Sequence, residues 1–462
     1  MPAAFENPFS LVHLSDSPTI CPDVKSVPPS IPFRENSDFA ATARFYLSAH
    51  FRHDSRMGIE LRWVGESDYD RVALTRLRCY AKSASDRESF EQRLRGDPRS
   101  KPGDFLLAEV GGQAVGTATS LPFTMWCRGG SISCQGVAWV GAIKTMRRKG
   151  SKGTPGVATA VMRELLSMAR QRGHVVSALM PFRASYYEHF GYGVVERRCD
   201  WTVPIAALPT GPFDSIRYAE PGDFTARAQC LLRVNQTGQC QIERSLDYWK
   251  VTDQSALDGF ALVDRDGDGP VRGSITMLHQ QVDGKDMMKV SDCIYQDTAA
   301  LGRLLHFLSS LKDQFSAVQL TLPADVPLNR LLAESQIPHR PVNHPVARCH
   351  PYTRMQVRIL DHARFFAVLN LPTNSSGQAV VSVKECEGHE SRFVLEFGNG
   401  KIQCKPGNQT PDFECTDRTW AAIACGDLKA SDALRLGLAA GGGADILDVL
   451  AVGPLPFSHE YF

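Results

Sequence analysis

The run Val137-Ala138-Trp139-Val140-Gly141-Ala142-Ile143, then Arg147-Arg148-Lys149-Gly150-Ser151-Lys152-Gly153-Thr154-Pro155-Gly156, then Val157-Ala158-Thr159-Ala160-Val161-Met162 decides the fold of this chain. The apolar run bounded by a turn reads as a strand, and the pattern resuming at Val157 reads as a helix. The turn between them fits a phosphate. Glycines let backbone N–H groups approach an anion, basic side chains supply countercharge, and a helix start adds unpaired donors and a positive dipole end. The stretch continues through the short apolar strand His174-Val175-Val176-Ser177-Ala178-Leu179-Met180 to Tyr186-Tyr187-Glu188-His189-Phe190, a brief helix ended by Gly191.

Working outward, the first fifty or so residues hold Pro2, Pro8, Pro18, Pro22, Pro28, Pro29 and Pro32 without a sustained period, which predicts an irregular extension over 1–56. From Met57 the pattern is regular. Ile59 to Val64 alternates like a strand, Ser67 to Tyr80 has helical spacing, a second helical pattern runs to about Leu94, and Asp104 to Thr119 reads as a hairpin about Gly111-Gly112. Pro204 to Pro212 marks a boundary, so a first unit is expected over 57–210. A second, over 211–354, repeats the order of elements: strand Ser215–Ala219, a helix from Phe224, a hairpin about Asp264 to Pro270, strand Met287–Val290, a helix from Asp297 to Phe315, and strand Val318–Leu322. It lacks the basic glycine turn. Gln296-Asp297-Thr298-Ala299-Ala300 stands there instead, so no pyrophosphate is expected in this unit. The third unit, 355–462, has an α+β pattern with a strong turn at Asn399-Gly400.

With 43% hydrophobic and 22% charged residues the chain has the balance of soluble domains and can bury a large core. Its 51 Lys+Arg against 50 Asp+Glu leave no global field to attract nucleic acid or an anionic membrane. The 13 cysteines are odd in number and form no CxxC pair, so neither a disulfide framework nor a zinc site is indicated. No signal-peptide pattern or bilayer-length apolar run occurs, so a cytoplasmic protein is expected.

Val140 to Gly150, the helix from Gly156, and Tyr186-Tyr187-Glu188-His189-Phe190-Gly191-Tyr192-Gly193 together resemble the GNAT acetyltransferase motif. More narrowly they resemble the Eis-like branch, in which an active GNAT domain, a degenerate second one and a sterol-carrier-like domain follow one another. The resemblance spans Met57 to Phe462, specific in the central stretch and architectural beyond Pro212. It implies an α+β protein of two GNAT-like mixed-sheet α/β domains in tandem and a sterol-carrier-like α+β domain. It also implies acetyl-CoA as co-substrate, with the pantetheine arm along Val140, Gly141, Ala142 and Ile143 and the pyrophosphate at Arg147, Arg148, Gly150, Gly153, Gly156 and Ala158. The family pattern is Arg/Gln-x-x-Gly-x-Gly/Ala. Arg147 to Gly150 fits its front and Gly156-Val157-Ala158 its back, with about six residues inserted, so either both halves wrap the pyrophosphate or the loop is too long to close on it.

The resemblance aligns Tyr187 with the general acid that protonates the departing CoA thiolate. A phenol near ~10 and a thiol near ~8.5 are close enough for proton transfer. Tyr186 and Tyr192 read as packing residues, and Pro181-Phe182-Arg183 stands where the family often has Ala-Ser-Glu. Eis-like chains end in an aromatic residue whose α-carboxylate reaches the active domain, and Phe462 fits. Taking a proton from an ammonium is uphill for such a carboxylate by roughly 9 kcal/mol, which favours a cation anchor that also serves as base only if pKa values move or water relays the proton.

Other features carry bland expectations. Asp264 to Gly269 resembles the front of a calcium loop but has Ile275 at position twelve, so it reads as a polar turn. His344 and Cys349-His350 read as loop, and His459 and Glu460, which could help bind a polycation, read first as solvated. The expected function is an acetyl-CoA-dependent N-acetyltransferase acting by direct attack of a primary amine, of a polyamine-type small molecule or a lysine. No metal, nucleic acid or membrane partner is expected, and a homo-oligomer is possible by resemblance. The rival is a non-catalytic acyl-CoA or lipid-binding protein, which would bind acetyl-CoA without acetylating any amine.

Overall fold

Parity along one strand sorts the layers of the first sheet. In Phe105-Leu106-Leu107-Ala108, Phe105 and Leu107 pack with Val64, Tyr69, Val72 and Leu94, whereas Leu106 and Ala108 pack with Val157, Val161 and Leu165. Successive strand residues point to opposite faces, so two helices cover one side and a third covers the other. The computed structural model describes residues 52–54, 58–81, 86–147, 155–257, 260–333, 346–371 and 375–462.

The first region holds β1 (Arg52–Asp54), β2 (Ile59–Val64), α1 (Tyr69–Tyr80), α2 (Arg87–Gly96), β3 (Phe105–Val110), β4 (Gln113–Cys127), β5 (Gly130–Ala142), α3 (Val157–Gln171), β6 (Val176–Leu179), α4 (Ala184–Glu188) and β7 (Gly193–Val194). β8 (Arg198–Pro204), β9 (Ile216–Tyr218), α5 (Phe224–Thr237), β10 (Gln241–Ile242), α6 (Leu246–Leu257), β11 (Ala261–Asp264), β12 (Gly273–Val282), β13 (Lys285–Tyr295), α7 (Thr298–Ser309) and β14 (Ala317–Pro323) follow. The last part holds β15 (Arg348–Tyr352), β16 (Gln356–Ile359), α8 (His362–Val368), β17 (Gly377–Lys384), β18 (Glu390–Gly398), β19 (Lys401–Pro406), β20 (Phe413–Thr416), α9 (Asp417–Ala424), α10 (Ala430–Arg435), β21 (Ala439–Gly441) and α11 (Ala444–Leu447). No helix among these is long and apolar enough to cross a membrane.

Three mixed sheets result, in the orders β1-β2-β3-β4-β5-β6-β16-β7 with β10 on β4, β15-β8-β14-β13-β12-β11-β9, and β19-β18-β17-β20-β21. The α/β character expected from the sequence is present, with two corrections to where units meet. β8, which precedes the expected boundary at 210, pairs with β14 of the second sheet. β16, expected to open the third unit, lies between β6 and β7 of the first sheet. Each exchange supplies backbone partners to a strand that would otherwise end a sheet, where unpaired N–H and C=O groups are a liability. Two further corrections are local. Arg52–Asp54, expected to be irregular, pairs with Ile59–Leu61, and Cys349-His350, read as loop, pairs along β8. Arg148, Gly150, Gly153 and His344 lie outside the described residues.

Candidate active site

β5 parts from its neighbour half-way along. Its parallel pairing with β6 covers Cys134 to Val137, opposite Val176 to Leu179, and β6 ends there. Among the described residues no strand pairs with β5 on its β6 side from Ala138 onward, so β5 and β6 part there and leave the main chain of Val140, Gly141 and Ala142 without a ladder partner on that side. On its other side the ladder to β4 is broken. Thr119 pairs with Ala138 but Thr117 pairs with Gly141, which sets two residues of β5, Trp139 and Val140, against Ala118 alone. Trp139 has φ 57°, the left-handed region that a bulge of this kind normally gives to glycine.

The start of α3 packs beside this parting. Gly156 precedes it with no side-chain cap, and no acidic residue lies in the first turn, so its leading N–H groups and positive dipole end are not neutralised from within. Helix and sheet meet closely, since a Cβ at Gly116 of β4 would lie 2.5 Å from Val157 Cγ1. Among the described residues, a Cβ at Gly156 would meet nothing within 4 Å. Ala158 is half-buried in the first turn, and Arg147 is exposed on the turn after Ile143. The described residues fit a pyrophosphate: a helix start without a side-chain cap, a glycine whose Cβ position is clear of them, and an exposed guanidinium on the turn after Ile143.

Tyr187 is 6% exposed on α4 and packs in the same core as Val157, Val137 and Phe190. Its ring meets Tyr186 edge-on at 5.0 Å and Phe182 at 6.2 Å. Burial, then the neighbouring Tyr186, raises its pKa, so the phenol holds its proton throughout the neutral range. Tyr192 is tied elsewhere, its hydroxyl 2.7 Å from Ser177 Oγ, which donates to Gln135 Oε1 at 2.8 Å. The Phe462 ring meets Phe123 of β4 at 4.9 Å, and a Cβ at Gly136 of β5 would lie 3.2 Å from Phe462 Cε2. The end of the chain therefore reaches the sheet where β5 and β6 begin to part.

Residues 60–195 match the acetyltransferase (GNAT) domain, and residues 240–359 match another model of the acetyltransferase (GNAT) domain. The chain carries two GNAT domains in tandem. It is an acyltransferase, of a family that moves an acetyl group from acetyl-CoA to an amine-type acceptor. An uncharacterised N-acetyltransferase of Streptomyces avermitilis is 25% identical over 363 residues, covering 73% of this chain and 82% of that protein. The fold resembles the GCN5-related N-acetyltransferase of Anabaena variabilis, with a TM-score of 0.74 and 16% identity over 87% of this chain and 100% of that one. It also resembles Eis1 from Mycobacterium abscessus, with a TM-score of 0.70 and 18% identity over 87% of this chain and 100% of that one.

The second GNAT domain differs at the corresponding helix. Asp297 caps α7, its carboxylate accepting from Ala300 N at 2.8 Å. A fixed negative charge thus occupies the end at which a phosphate would bind, a physical basis for expecting no pyrophosphate there.

The tail corrects one expectation outright. Glu460, read as solvated, is 2% exposed and accepts from Arg99 at 2.7 Å and Arg244 at 2.9 Å. His459 is also largely buried, with Nδ1 3.2 Å from Asp292. Arg198 and Arg354 donate to the Ser458 carbonyl at 2.8 Å and 2.6 Å, and Glu196 accepts from Ser458 N. These partners come from both GNAT domains and the exchanged segments between them.

Several residues of the site were not singled out by sequence. Tyr80, the last residue of α1, is so placed that a Cβ at Gly141 would lie 2.8 Å from its hydroxyl, and its ring meets Trp139 at 5.6 Å. Phe90 of α2 meets Trp139 at 5.7 Å. Beside Phe462, a cleft of about 290 Å³ is lined by Arg99, Lys101, Phe123, Thr124, Glu243 and Ser245, joining the first GNAT domain to the second. Glu243 is held by Trp126 Nε1 at 2.7 Å. Aromatic residues at helical spacing read as core, and only the contact to Gly141 distinguishes Tyr80.

Proposed function

We propose that the first GNAT domain transfers acetyl from acetyl-CoA to a primary amine of a polyamine-type small molecule or of a lysine. The observation that carries this is the uncapped start of α3 beside the opened strand β5, set against the Asp297-capped α7 of the second domain. Val140, Gly141, Ala142 and Ile143 line the pantetheine arm. Gly156, Ala158 and Arg147 receive the pyrophosphate, with Arg148, Gly150 and Gly153 on the connecting loop. Acetyl-CoA supplies the activated acyl group, and the protein supplies position and a proton. The neutral amine nitrogen attacks the thioester carbonyl carbon, a C–N bond forms and the C–S bond breaks. Tyr187 gives its proton to the departing sulfur, and the proton shed by the nitrogen returns to the phenolate through water. The carboxylate of Phe462 anchors the cationic acceptor, and the cleft containing Glu243 accommodates its remainder.

Release of free CoA thiol in the presence of acetyl-CoA and a panel of polyamines and lysine-containing peptides tests the reading. Turnover with an amine of this class is expected. Tight acetyl-CoA binding with no acetylated amine overturns it in favour of a carrier.

A further inference from the structure

Arg76 lies on α1, is 3% exposed, and pairs with no carboxylate among the described residues. Its Nε has no hydrogen-bond partner there either. Burial pulls its pKa down to about 10, so it is a desolvated cation at neutral pH. Such a group is costly to keep, and its contacts indicate what it does. Its guanidinium carbon lies 4.7 Å from the Trp139 ring centre and 5.5 Å from that of Phe105. Its Nη2 donates to Thr119 Oγ1 at 2.7 Å. Trp139 is the left-handed residue of the β5 bulge, and Thr119 is the β4 residue whose pairing with Ala138 closes the ladder beside it. Arg76 therefore touches both strands at the bulge. Tyr80, one turn further along α1, and Phe90 of α2 meet the same half-buried indole edge-on, at 5.6 Å and 5.7 Å.

We propose that Arg76 is a positioning residue for acetyl transfer, which holds Trp139 in its left-handed conformation and through it the opening of β5 that receives acetyl-CoA. A non-glycine residue at positive φ is strained and persists only when its surroundings fix it. The stacked guanidinium, the two edge-on rings and the Thr119 hydrogen bond are that surrounding. The inference rests on the acetyl-CoA reading above, and extends it by tying the donor site to the helices on the face that also carries Tyr80.

CoA binding by titration calorimetry, without any amine, tests it in a double-mutant cycle. Arg76→Met should weaken CoA binding about tenfold in the native background, and Arg76→Lys about threefold. Glycine takes positive φ without strain, so in a Trp139→Gly background Arg76→Met should add less than about twofold. Equal weakening in both backgrounds, or none in the native one, overturns the proposal. Should Arg76→Met not fold, the cycle is read with Arg76→Lys, for which additivity with Trp139→Gly is the overturning result. If the unaltered chain binds no CoA, the acetyl-CoA reading itself fails. Binding with additive variants sinks only the role of Arg76.

Discussion

Two residues of the first GNAT domain separate binding from chemistry. Gly156 has φ −70°, open to any L-residue, and a Cβ there meets nothing within 4 Å among the described residues. Gly156→Ala should therefore leave stability unchanged or raise it by about 0.5 kcal/mol, because the unfolded chain loses freedom. The same methyl group would stand before the α3 donors, so the KM for acetyl-CoA should rise several-fold while Tm does not fall. A lowered Tm would show that the glycine serves the fold instead. Tyr187 makes the opposite case. Tyr187→Phe keeps the packing against Tyr186 and Phe182 and removes only the hydroxyl, so kcat should fall about 10²-fold or more with little change in CoA affinity. Stopped-flow thiol release reads the first quantity and calorimetry the second. An unchanged kcat removes Tyr187 as the acid.

At the scale of elements, the contrast between α3 and α7 can be tested from the side that binds nothing. Asp297→Ala removes the carboxylate bonded to Ala300 N, which should cost about 1 kcal/mol and lower Tm by roughly 2 °C, with no change in KM for acetyl-CoA. A change in that KM would place donor binding in the second domain. These helices also show what a sequence discloses. The run Val137–Ile143, the basic glycine turn and the helix from Val157 were legible because an apolar strand, a charged turn and helical spacing are local signals. The first half of β5 was not, since Ser133 and Gln135 break the apolar pattern: half-buried Ser133 bonds to His174, and buried Gln135 donates to Ser120 and the Leu165 carbonyl and accepts from Ser177 of β6. The exchange of β8 and β16 was equally hidden. Each strand has an ordinary local pattern, and its partner lies more than a hundred residues away. Tyr80 and Arg76 read as parts of an amphipathic helix, and their meaning lies in the φ of Trp139, which no spacing reports.

Across the whole molecule, a histidine buried in its neutral form contributes to the response to acid. His174, 7% exposed and 2.7 Å from Ser133 Oγ, has its pKa lowered to about 4, by burial first and then by Arg172 and Arg364. Above about pH 6.5 both folded and unfolded states hold the ring neutral, and this group has no effect. Between about 6.5 and 4 only the unfolded state takes up the proton, so stability falls with pH, by about 3 kcal/mol in full. Urea midpoints measured from pH 7 to 4 should therefore decline, and the decline should be shallower in His174→Asn. Identical slopes would assign the acid response to other groups.

The C-terminal tail joins the domains through one buried carboxylate. Glu460 receives Arg99 from the first GNAT domain and Arg244 from the second, while Arg99 also donates to the Tyr461 carbonyl at 2.7 Å. Arg244 is itself held by Asp292 at 2.8 Å, and the pair raises its pKa despite burial. Removing the charge at Glu460 leaves two guanidiniums short of a partner in a dry site, a change that ordinarily costs about 3–5 kcal/mol. Glu460→Gln keeps the shape but removes the charge and turns one of the two acceptor oxygens, which receive Arg99 and Arg244, into a donor. It should lower Tm and, by loosening Tyr461 and Phe462, raise the KM for the amine more than that for acetyl-CoA. Residues appended after Phe462 separate the two consequences. They leave the Glu460 bonds intact, so Tm should hold, but they replace by a peptide group the terminal carboxylate of the residue whose ring packs on Phe123, so amine turnover should drop. Full activity of the extended chain, with the Glu460→Gln chain impaired, would confine the tail to joining the domains and take the Phe462 carboxylate out of the reaction.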